Sequence, residues 1–510
     1  MIHLIVEGLR KFLSGDGVVL MPELELVLFA CGIVVLDRWL EPQEKYWNAM
    51  LALAGTAFSG FTLYVQFRKL DDLLKTIPDS PGLLGLHQSF LIDHFFLFFA
   101  ALLLAGTALA ILLSLPLANH NESESQPSFA PYLFGCAGMM WMISGVDLLG
   151  IFAGLQCLSV SCYLLTRRAA QGEEAREASK KYRLLWLCGS SGLAIGFVLL
   201  YALFRTTNLG RIATVLEVRL DNGVVYGGVT AWPVALAFAF VAAGALLLVD
   251  AAPLHWFAPP IAEKARTSTE EFLAATVKVA CFALLVRLFS FLFVFGHEKW
   301  VHVWAIAAVV SLLWGTIAAS LARNLKRLLV YGAMAHTGFL ILGLVAGSAG
   351  GFQGIMYYLG TFLFMTAGAF GVLMVLEQSG SAIVSLDDLH GFYHRSPATA
   401  ALLLIFLLAL AGVPPTAGFP PKYLLIKSVF ASSHQELAVF ASLSALASLY
   451  YYGRVAVHAW KRAASDAVPA APISFTTAQT IALTACVFVS IAAGVYPEPF
   501  LRIASYAFGQ

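Results

Sequence analysis

Three basic side chains interrupt long apolar stretches of this 510-residue sequence. Lys278 and Arg287 share the stretch FLAATVKVACFALLVRLF, and Lys422 directly follows AGVPPTAGFPP. If these stretches span a membrane, a charge at mid-bilayer costs from about 2.5 to over 10 kcal/mol, so such a residue normally faces a protein interior or a water-filled path. A lysine kept from bulk water readily exchanges its proton. The chemistry that these side chains could perform is therefore proton transfer.

A structural role is the alternative for each of them. For Lys278, a structural salt bridge to a neighbouring carboxylate accounts for a buried lysine as well as a role in proton exchange does. Arg287 lies near a helix end, which favours snorkelling or binding of loop carbonyls over transport. Two proline pairs precede Lys422 and free backbone carbonyls within an apolar stretch, which is tolerated only where the backbone is buried in protein or lines a cavity. That arrangement favours an ion path at Lys422.

Two more titratable residues belong to this set. His336, in VYGAMAHTGFLILG, is the only histidine well within an apolar stretch. A lone buried histidine is more often a satisfied hydrogen-bond partner, yet imidazole titrates near neutral pH and is a natural link between two lysines. Asp250 lies near the end of another stretch and could supply a carboxylate.

The composition predicts a chain embedded in a membrane. Hydrophobic residues make up 59% of it and charged residues only 12%, about half the usual charged fraction. This excludes a soluble enzyme and a disordered protein. The 31 Lys and Arg against 30 Asp and Glu leave no basic field for a nucleic acid. Dinucleotide, P-loop and nucleophile-elbow motifs are absent. The seven cysteines form no ligand pattern, so we expect buried packing thiols and no metal site.

Runs of about 20 apolar residues predict the elements that must position these side chains. The predicted fold is an all-α polytopic membrane protein with about fourteen spans, of which the seventh and twelfth carry prolines. The spans lie near 19–37, 47–66, 95–117, 129–146, 147–166, 184–204, 230–252, 269–292, 301–321, 328–348, 352–377, 398–431, 436–460 and 476–496. Pro253 lies near the end of the seventh span, whereas Pro414 with Pro415 marks a break in the twelfth, which is too long for one straight helix. The fourth and fifth spans must join in a very tight turn at 144–147, and the first residues could form a short interfacial helix.

The distribution of Lys and Arg predicts the orientation. With fourteen spans both termini lie on one side, and the loops on the opposite side, including 167–183, carry more basic residues. The positive-inside rule then places 167–183 in the cytoplasm and both termini on the periplasmic side of a bacterial inner membrane.

Several strings resemble the antiporter-like membrane subunits of respiratory complex I, most of all the subunit N group of bacterial NADH-quinone oxidoreductase. They are FGCAGMMWMISGVDLLGIFAGLQCLSVSCYLL, TVKVACFALLVRLF, NLKRLLVYGAMAHTGFLILGLVAG and LAGVPPTAGFPPK. The resemblance implies two inverted five-helix repeats, 129–292 and 301–460, flanked by 1–128 with the first three spans and 461–510 with the last. It implies one broken helix in each repeat, the seventh and the twelfth. It also implies partner subunits of a membrane arm, with FMN, iron–sulfur clusters and quinone in those partners and no cofactor in this chain.

The resemblance assigns a proton relay to Lys278 in the eighth span, His336 in the tenth and Lys422 in the twelfth. At two positions this chain departs from the pattern of the family. The glutamate expected in the fifth span is Gln156, and the lysine expected before the proline of the seventh is Leu248. Loss of both members of a buried pair is tolerable, whereas loss of one costs about 3–5 kcal/mol. Asp250 could then serve as a substitute carboxylate.

Three functions remain open at this point. The first is a proton-translocating subunit coupled to quinone reduction elsewhere in the complex. The second is a non-pumping scaffold of the membrane arm, which Gln156 and Leu248 favour. The third is a subunit of a related cation/proton antiporter or membrane-bound hydrogenase.

Overall fold

The computed structural model describes residues 16–41, 44–78, 80–116, 128–169, 173–221, 231–253, 267–294, 297–378, 385–461 and 475–507. Eighteen helices dominate these residues. They are α1 (Met21–Leu36), α2 (Tyr46–Thr76), α3 (His94–Ser114), α4 (Ala130–Ser144), α5 (Leu148–Ala169), α6 (Glu173–Phe204), α7 (Leu209–Asp221), α8 (Ala231–Leu248), α9 (Thr267–Phe293), α10 (His297–Leu321), α11 (Leu325–Ala346), α12 (Ala349–Gln378), α13 (Phe392–Arg395), α14 (Pro397–Ala411), α15 (Phe419–Phe430), α16 (Gln435–Trp460), α17 (Thr477–Val495) and α18 (Glu498–Ala507).

The predicted all-α polytopic membrane fold is confirmed. Every predicted span coincides with a helix, and the twelfth coincides with the pair α14 and α15. Nine helices in the described part of the chain are long and apolar enough to cross a membrane, and α8 and α14 contain shorter apolar segments. An apolar run of this length closes its backbone hydrogen bonds within the helix, which is the requirement that lipid imposes.

Three helices form the centre of the bundle. The apolar window of α9 is buried along its whole length, and those of α11 and α12 are buried almost as completely. A helix that is apolar on all sides belongs inside a large protein rather than against water. The outer helices keep apolar side chains such as Leu28, Phe61 and Ile317 exposed, as a lipid-facing surface requires. Lys278 and His336, on α9 and α11, are therefore shielded from lipid.

The twelfth span is broken where the sequence predicts. Helix α14 ends at Ala411, and Gly412 adopts a left-handed conformation with φ +82°. Irregular backbone that includes the cis bond between Pro414 and Pro415 leads to α15, which carries Lys422 on its first turn. In the seventh span, α8 ends at Leu248, and Asp250 and Pro253 lie in the turn that follows.

The tight turn between the fourth and fifth spans is present and supports a small hairpin. Strands β1 (Leu83–Gly85) and β2 (Phe90–Ile92) pair antiparallel, with Leu83 opposite Ile92. The amide of Val146 donates to the carbonyl of Ser89 at 2.9 Å, which ties the turn to the hairpin. The sequence analysis did not predict the hairpin because three-residue strands are too short to show alternation.

The structure adds detail to the connecting segments and corrects the prediction for two cysteines. The segment 167–183 is largely helical, because α5 continues to Ala169 and α6 begins at Glu173. The amphipathic helices α7 and α18 were not predicted, since only long apolar runs were sought. Cys31 and Cys188 are exposed rather than buried packing thiols, whereas Cys136, Cys162, Cys281 and Cys486 are buried. The predicted interfacial helix falls on residues 1–15, outside the described residues.

Candidate functional site

Lys278 lies in the buried middle of α9. A π-helical turn, Phe272–Val277, directly precedes it, and its side chain is only 6% exposed. Its Nζ donates to the backbone carbonyl of Ala333 at 3.2 Å and lies 4.0 Å from Oδ2 of Asp250. The carboxylate expected of a structural salt bridge is therefore present, and the backbone carbonyl is a second partner that was not predicted.

A cavity of about 50 Å³ adjoins this pair. Its lining includes Asp250, Glu270, Lys278, Tyr182 and Leu248. One water needs about 10–15 Å³ and two or more polar partners, so this cavity has room and partners for several. The arrangement can bring water to the Lys278 amine and to two carboxyl groups within an otherwise apolar bundle.

His336 follows Ala333 by almost one turn of α11. Its Nδ1 lies 2.5 Å from the hydroxyl of Tyr358, and its Nε2 lies 3.4 Å from the hydroxyl of Tyr452. Thr337 donates to the carbonyls of both Val249 and Ala333, which fixes this part of α11 against the end of α8. Both ring nitrogens of the histidine therefore have hydroxyl partners that can either donate or accept.

Lys422 is held by the broken backbone of the twelfth span. Its Nζ donates to the carbonyls of Leu410 and Ala411, at 2.9 and 2.8 Å, and lies 3.5 Å from Oγ of Ser448. The carbonyls that the end of α14 leaves without helical partners are the acceptors that a buried ammonium needs. The same Nζ lies over the ring of Phe339, 5.3 Å from its centroid.

Helix α11 connects the three predicted relay residues. Lys278 contacts it at Ala333, His336 belongs to it, and Lys422 contacts it at Phe339. Six residues of helix span about 9 Å, so these contacts follow one another along a short stretch of α11. Among the described residues no hydrogen bond joins two of the three side chains directly. Proton transfer between them would need intervening water or the Tyr358 and Tyr452 hydroxyls.

Of the two roles predicted for Arg287, snorkelling is wrong because the side chain is only 5% exposed, whereas a backbone carbonyl is one of its partners. Its guanidinium forms two bonds with the carboxylate of Asp93, at 2.5 and 3.0 Å, and donates to the carbonyl of Ile143 at 3.2 Å. Asp93 also caps the N-terminus of α3 by accepting from the amide of Phe96. One arginine thereby joins α9, α3 and α4.

The two positions that depart from the family pattern contain no ion pair. Leu248 is 8% exposed and lines the cavity, with Asp250 two residues later. The Nε2 atom of Gln156 is buried and donates no hydrogen bond to any described residue. Asp250 is thus the residue of the seventh span that supplies charge to Lys278.

Four buried glutamates are not among the site residues predicted from the sequence. Glu270 and Glu271 lie at the start of α9, and Glu23 and Glu25 lie in α1. Thr62 donates to Glu25 at 2.8 Å, whereas both carboxyl oxygens of Glu23 and Glu271 lack hydrogen-bond partners among the described residues. All four fall inside spans predicted from the sequence. A search of those spans for Asp and Glu as well as Lys and Arg would have found them.

Comparison with known proteins identifies the family of this chain. A family model described as NADH:quinone oxidoreductase/Mrp antiporter, TM matches residues 145–448. NADH-quinone oxidoreductase subunit N 1 of Koribacter versatilis is 36% identical, with 97% of this chain and 95% of that protein covered. NADH-quinone oxidoreductase subunit N 2 of Rhizobium meliloti is 33% identical, with 96% and 97% covered.

Two solved structures share the fold. A chain of respiratory complex I from Thermus thermophilus has a TM-score of 0.75 and 24% identity, with 95% of this chain and 99% of that chain covered. A chain of the membrane-bound sulfane sulfur reductase, an archaeal respiratory membrane complex, has a TM-score of 0.79 and 20% identity, with 96% of each chain covered. Together with the full-length relatives, the matching family model shows that this chain belongs to the NADH:quinone oxidoreductase/Mrp antiporter transmembrane family, in the subunit N group of NADH-quinone oxidoreductase.

Proposed function

We propose that this chain is a proton-translocating subunit of a complex-I-type NADH-quinone oxidoreductase in a bacterial inner membrane. The observation that carries the proposal is that Lys278, His336 and Lys422 belong to or contact one short stretch of α11. A cavity with room for several waters adjoins the Lys278 end. Buried amines and an imidazole with exchangeable hydrogen-bond partners are suited to proton transfer. The names of the full-length relatives support the assembly.

In this proposal a proton enters from the cavity beside Asp250 and Glu270 and binds Lys278. It then passes through water and His336 to Lys422, whose ammonium form the carbonyls of Leu410 and Ala411 stabilise. Moving one charge against 100 mV requires about 2.3 kcal/mol. In this proposal a charge change in a neighbouring membrane-arm subunit supplies that energy. FMN, iron–sulfur clusters and quinone belong to partner subunits.

Asp250 takes over the electrostatic role of the pair that Gln156 and Leu248 no longer provide. It lies 4.0 Å from Lys278, near enough for a change in its charge to alter the proton affinity of the amine. We further propose that residues 129–292 and 301–460 form the two inverted repeats of the family, one around Lys278 and one around Lys422. From the distribution of Lys and Arg we also propose that both termini lie on the periplasmic side.

A scaffold subunit without pumping is the second candidate function. The observation that favours it is the uncharged pair Gln156 and Leu248, with the Nε2 of Gln156 buried and unpaired among the described residues. The two lysines are retained, and each donates hydrogen bonds to backbone carbonyls, which favours the pumping role instead. Membership of a family that includes Mrp antiporters keeps cation/proton antiport as a third candidate.

The proposal is tested by replacing Lys422 with Met in the complete enzyme. In sealed vesicles we expect Lys422→Met to lower the number of protons moved per electron while NADH oxidation by the partner subunits continues. Lys427→Met is the matched control, since Lys427 is an exposed lysine on the same helix. A ratio that Lys422→Met leaves at the wild-type value would support the scaffold function, and a ratio that depends on Na⁺ would support cation/proton antiport.

A further inference from the structure

A second group of titratable side chains lies at one end of α16, apart from the lysines of the relay. Asp387 and His390 lie in the segment before α13, and His458 lies on the last turn of α16. One ligand atom from each of the three lies within 4.8 Å of the others. The relay described above uses none of them.

The donor atoms of this group have few competing partners. His458 Nδ1 lies 2.8 Å from the carbonyl oxygen of Arg454, and a carbonyl can only accept, so Nδ1 carries the proton. The lone pair is then on Nε2, which lies 3.7 Å from Oδ1 of Asp387. His390 Nε2 is buried and has no hydrogen-bond partner among the described residues. A ring whose other nitrogen donates to a carbonyl is the usual arrangement of a metal-bound histidine.

The two segments that carry these residues are already fixed to each other. The amide of Gly391 donates to the carbonyl of Lys461 at 2.6 Å, and the rings of Tyr393 and Trp460 stack with centroids 4.1 Å apart. A capping box at Ser385 closes the turn that holds Asp387. The rings of His390 and His458 are nearly parallel, with centroids 5.4 Å apart, so metal binding requires rotation of a histidine ring. It also requires a closer approach of the ligand atoms, because neighbouring ligands of a tetrahedral zinc ion are about 3.3 Å apart.

We propose that Asp387, His390 and His458 form a binding site for a divalent transition-metal ion such as Zn²⁺. Two imidazole nitrogens and one carboxylate oxygen are ligands that Zn²⁺ accepts, and an open fourth position would hold water. Asp387 is 78% exposed at its side chain, so an ion can enter from solvent. The bound ion would join the 385–395 segment to the end of α16, the helix whose Ser448 and Tyr452 contact Lys422 and His336.

The test measures zinc bound to the complete enzyme after treatment with chelator and equilibrium dialysis against buffered Zn²⁺. We expect His458→Ala and His390→Ala to bind one zinc ion fewer per complex than the wild type. Asp387→Asn keeps the shape of the side chain and should weaken zinc binding by at least tenfold. His394→Ala is the matched control, because His394 lies in the same segment but outside the group.

Equal zinc contents in the wild type and in the His458 and His390 variants would overturn the proposal. Loss of zinc in the His394 variant as well would also overturn it, since the binding would then reflect the general histidine content of the segment. Assembly of each variant into the complex is checked by co-purification of this chain with the partner subunits.

Discussion

At the scale of single residues, the most informative pair is Lys278 with Asp250. The two atoms that define it, Nζ and Oδ2, are 4.0 Å apart, and Asp250 is 35% exposed at its side chain. The pair is thus partly buried, with the amine shielded from solvent and the carboxylate partly exposed. Water in the adjoining cavity can reach both groups, which makes this the natural loading point of the relay.

Removing the carboxylate charge should therefore impair proton uptake. We expect Asp250→Asn to reduce proton pumping several-fold, because Lys278 loses the only charged partner that the described residues place within 4.0 Å. Asp250→Glu restores the charge and should recover much of the pumping. The check is the initial rate of vesicle acidification driven by NADH. Equal rates for the Asn and Glu variants would show that the charge at this position does not matter.

The lysines could be predicted from the sequence, but their partners could not. Lys278 and Lys422 stand out because a charge in an apolar run is costly. The carbonyls of Ala333, Leu410 and Ala411 carry no sequence signal, since every residue has one. Tyr358 and Tyr452 look like ordinary membrane aromatics until the packing of α11 against α12 and α16 brings them to His336.

At the scale of elements, the packing of α10 against α11 sets the position of the relay. A Cβ atom added to Gly338 would lie 2.8 Å from the backbone nitrogen of Leu312 and 2.9 Å from the carbonyl oxygen of Ala308. The two helices touch through backbone there, as small residues permit in membranes. Any side chain at Gly338 must push α11 away from α10.

We expect Gly338→Ala to lower the free energy of unfolding of the chain by about 1–3 kcal/mol, a typical result of overpacking. The midpoint of thermal unfolding in detergent measures it. Gly453→Ala is the control, because no atom lies within 4 Å of the added Cβ and alanine favours helix by about 1 kcal/mol. Similar midpoints for the two variants would mean that α10 and α11 are not as closely packed as described.

The link between Arg287 and Asp93 should act on stability rather than on transport. Arg287→Met leaves a largely buried carboxylate unpaired, which costs about 3 kcal/mol. The double variant Arg287→Met with Asp93→Asn should lose less, because asparagine is neutral and can still cap α3. Unfolding midpoints of the two variants decide this. A single variant as stable as the double one would contradict a structural role for the pair.

Elements could be predicted wherever their apolar length decides them. The fourteen spans and the proline break before Lys422 follow from sequence because lipid demands a continuous helix and proline interrupts one. The hairpin at Leu83–Ile92 and the helices α7 and α18 depend on tertiary contacts instead. Their short or amphipathic sequences satisfy no rule about membrane span, and so they were missed.

At the scale of the whole molecule, the distribution of basic residues predicts an orientation. We expect a cysteine at Lys180, on the charged start of α6, to react with a membrane-impermeant maleimide only from the cytoplasmic side. A cysteine at Lys75, near the end of α2, should react only from the periplasmic side. Both are exposed, and the exposed Cys31 and Cys188 are first replaced by serine. Labelling from the reverse sides would invert the proposed topology.

The central claim is that one continuous relay through Lys278, His336 and Lys422 carries protons. Residues that act in series give non-additive losses, because removal of either blocks the same path. The most direct measurement is the number of protons moved per electron by the complex with Lys278→Met, with Lys422→Met and with both. We predict the same reduction in all three variants. An unchanged ratio, or a double variant that loses the sum of the two single losses, would contradict the relay.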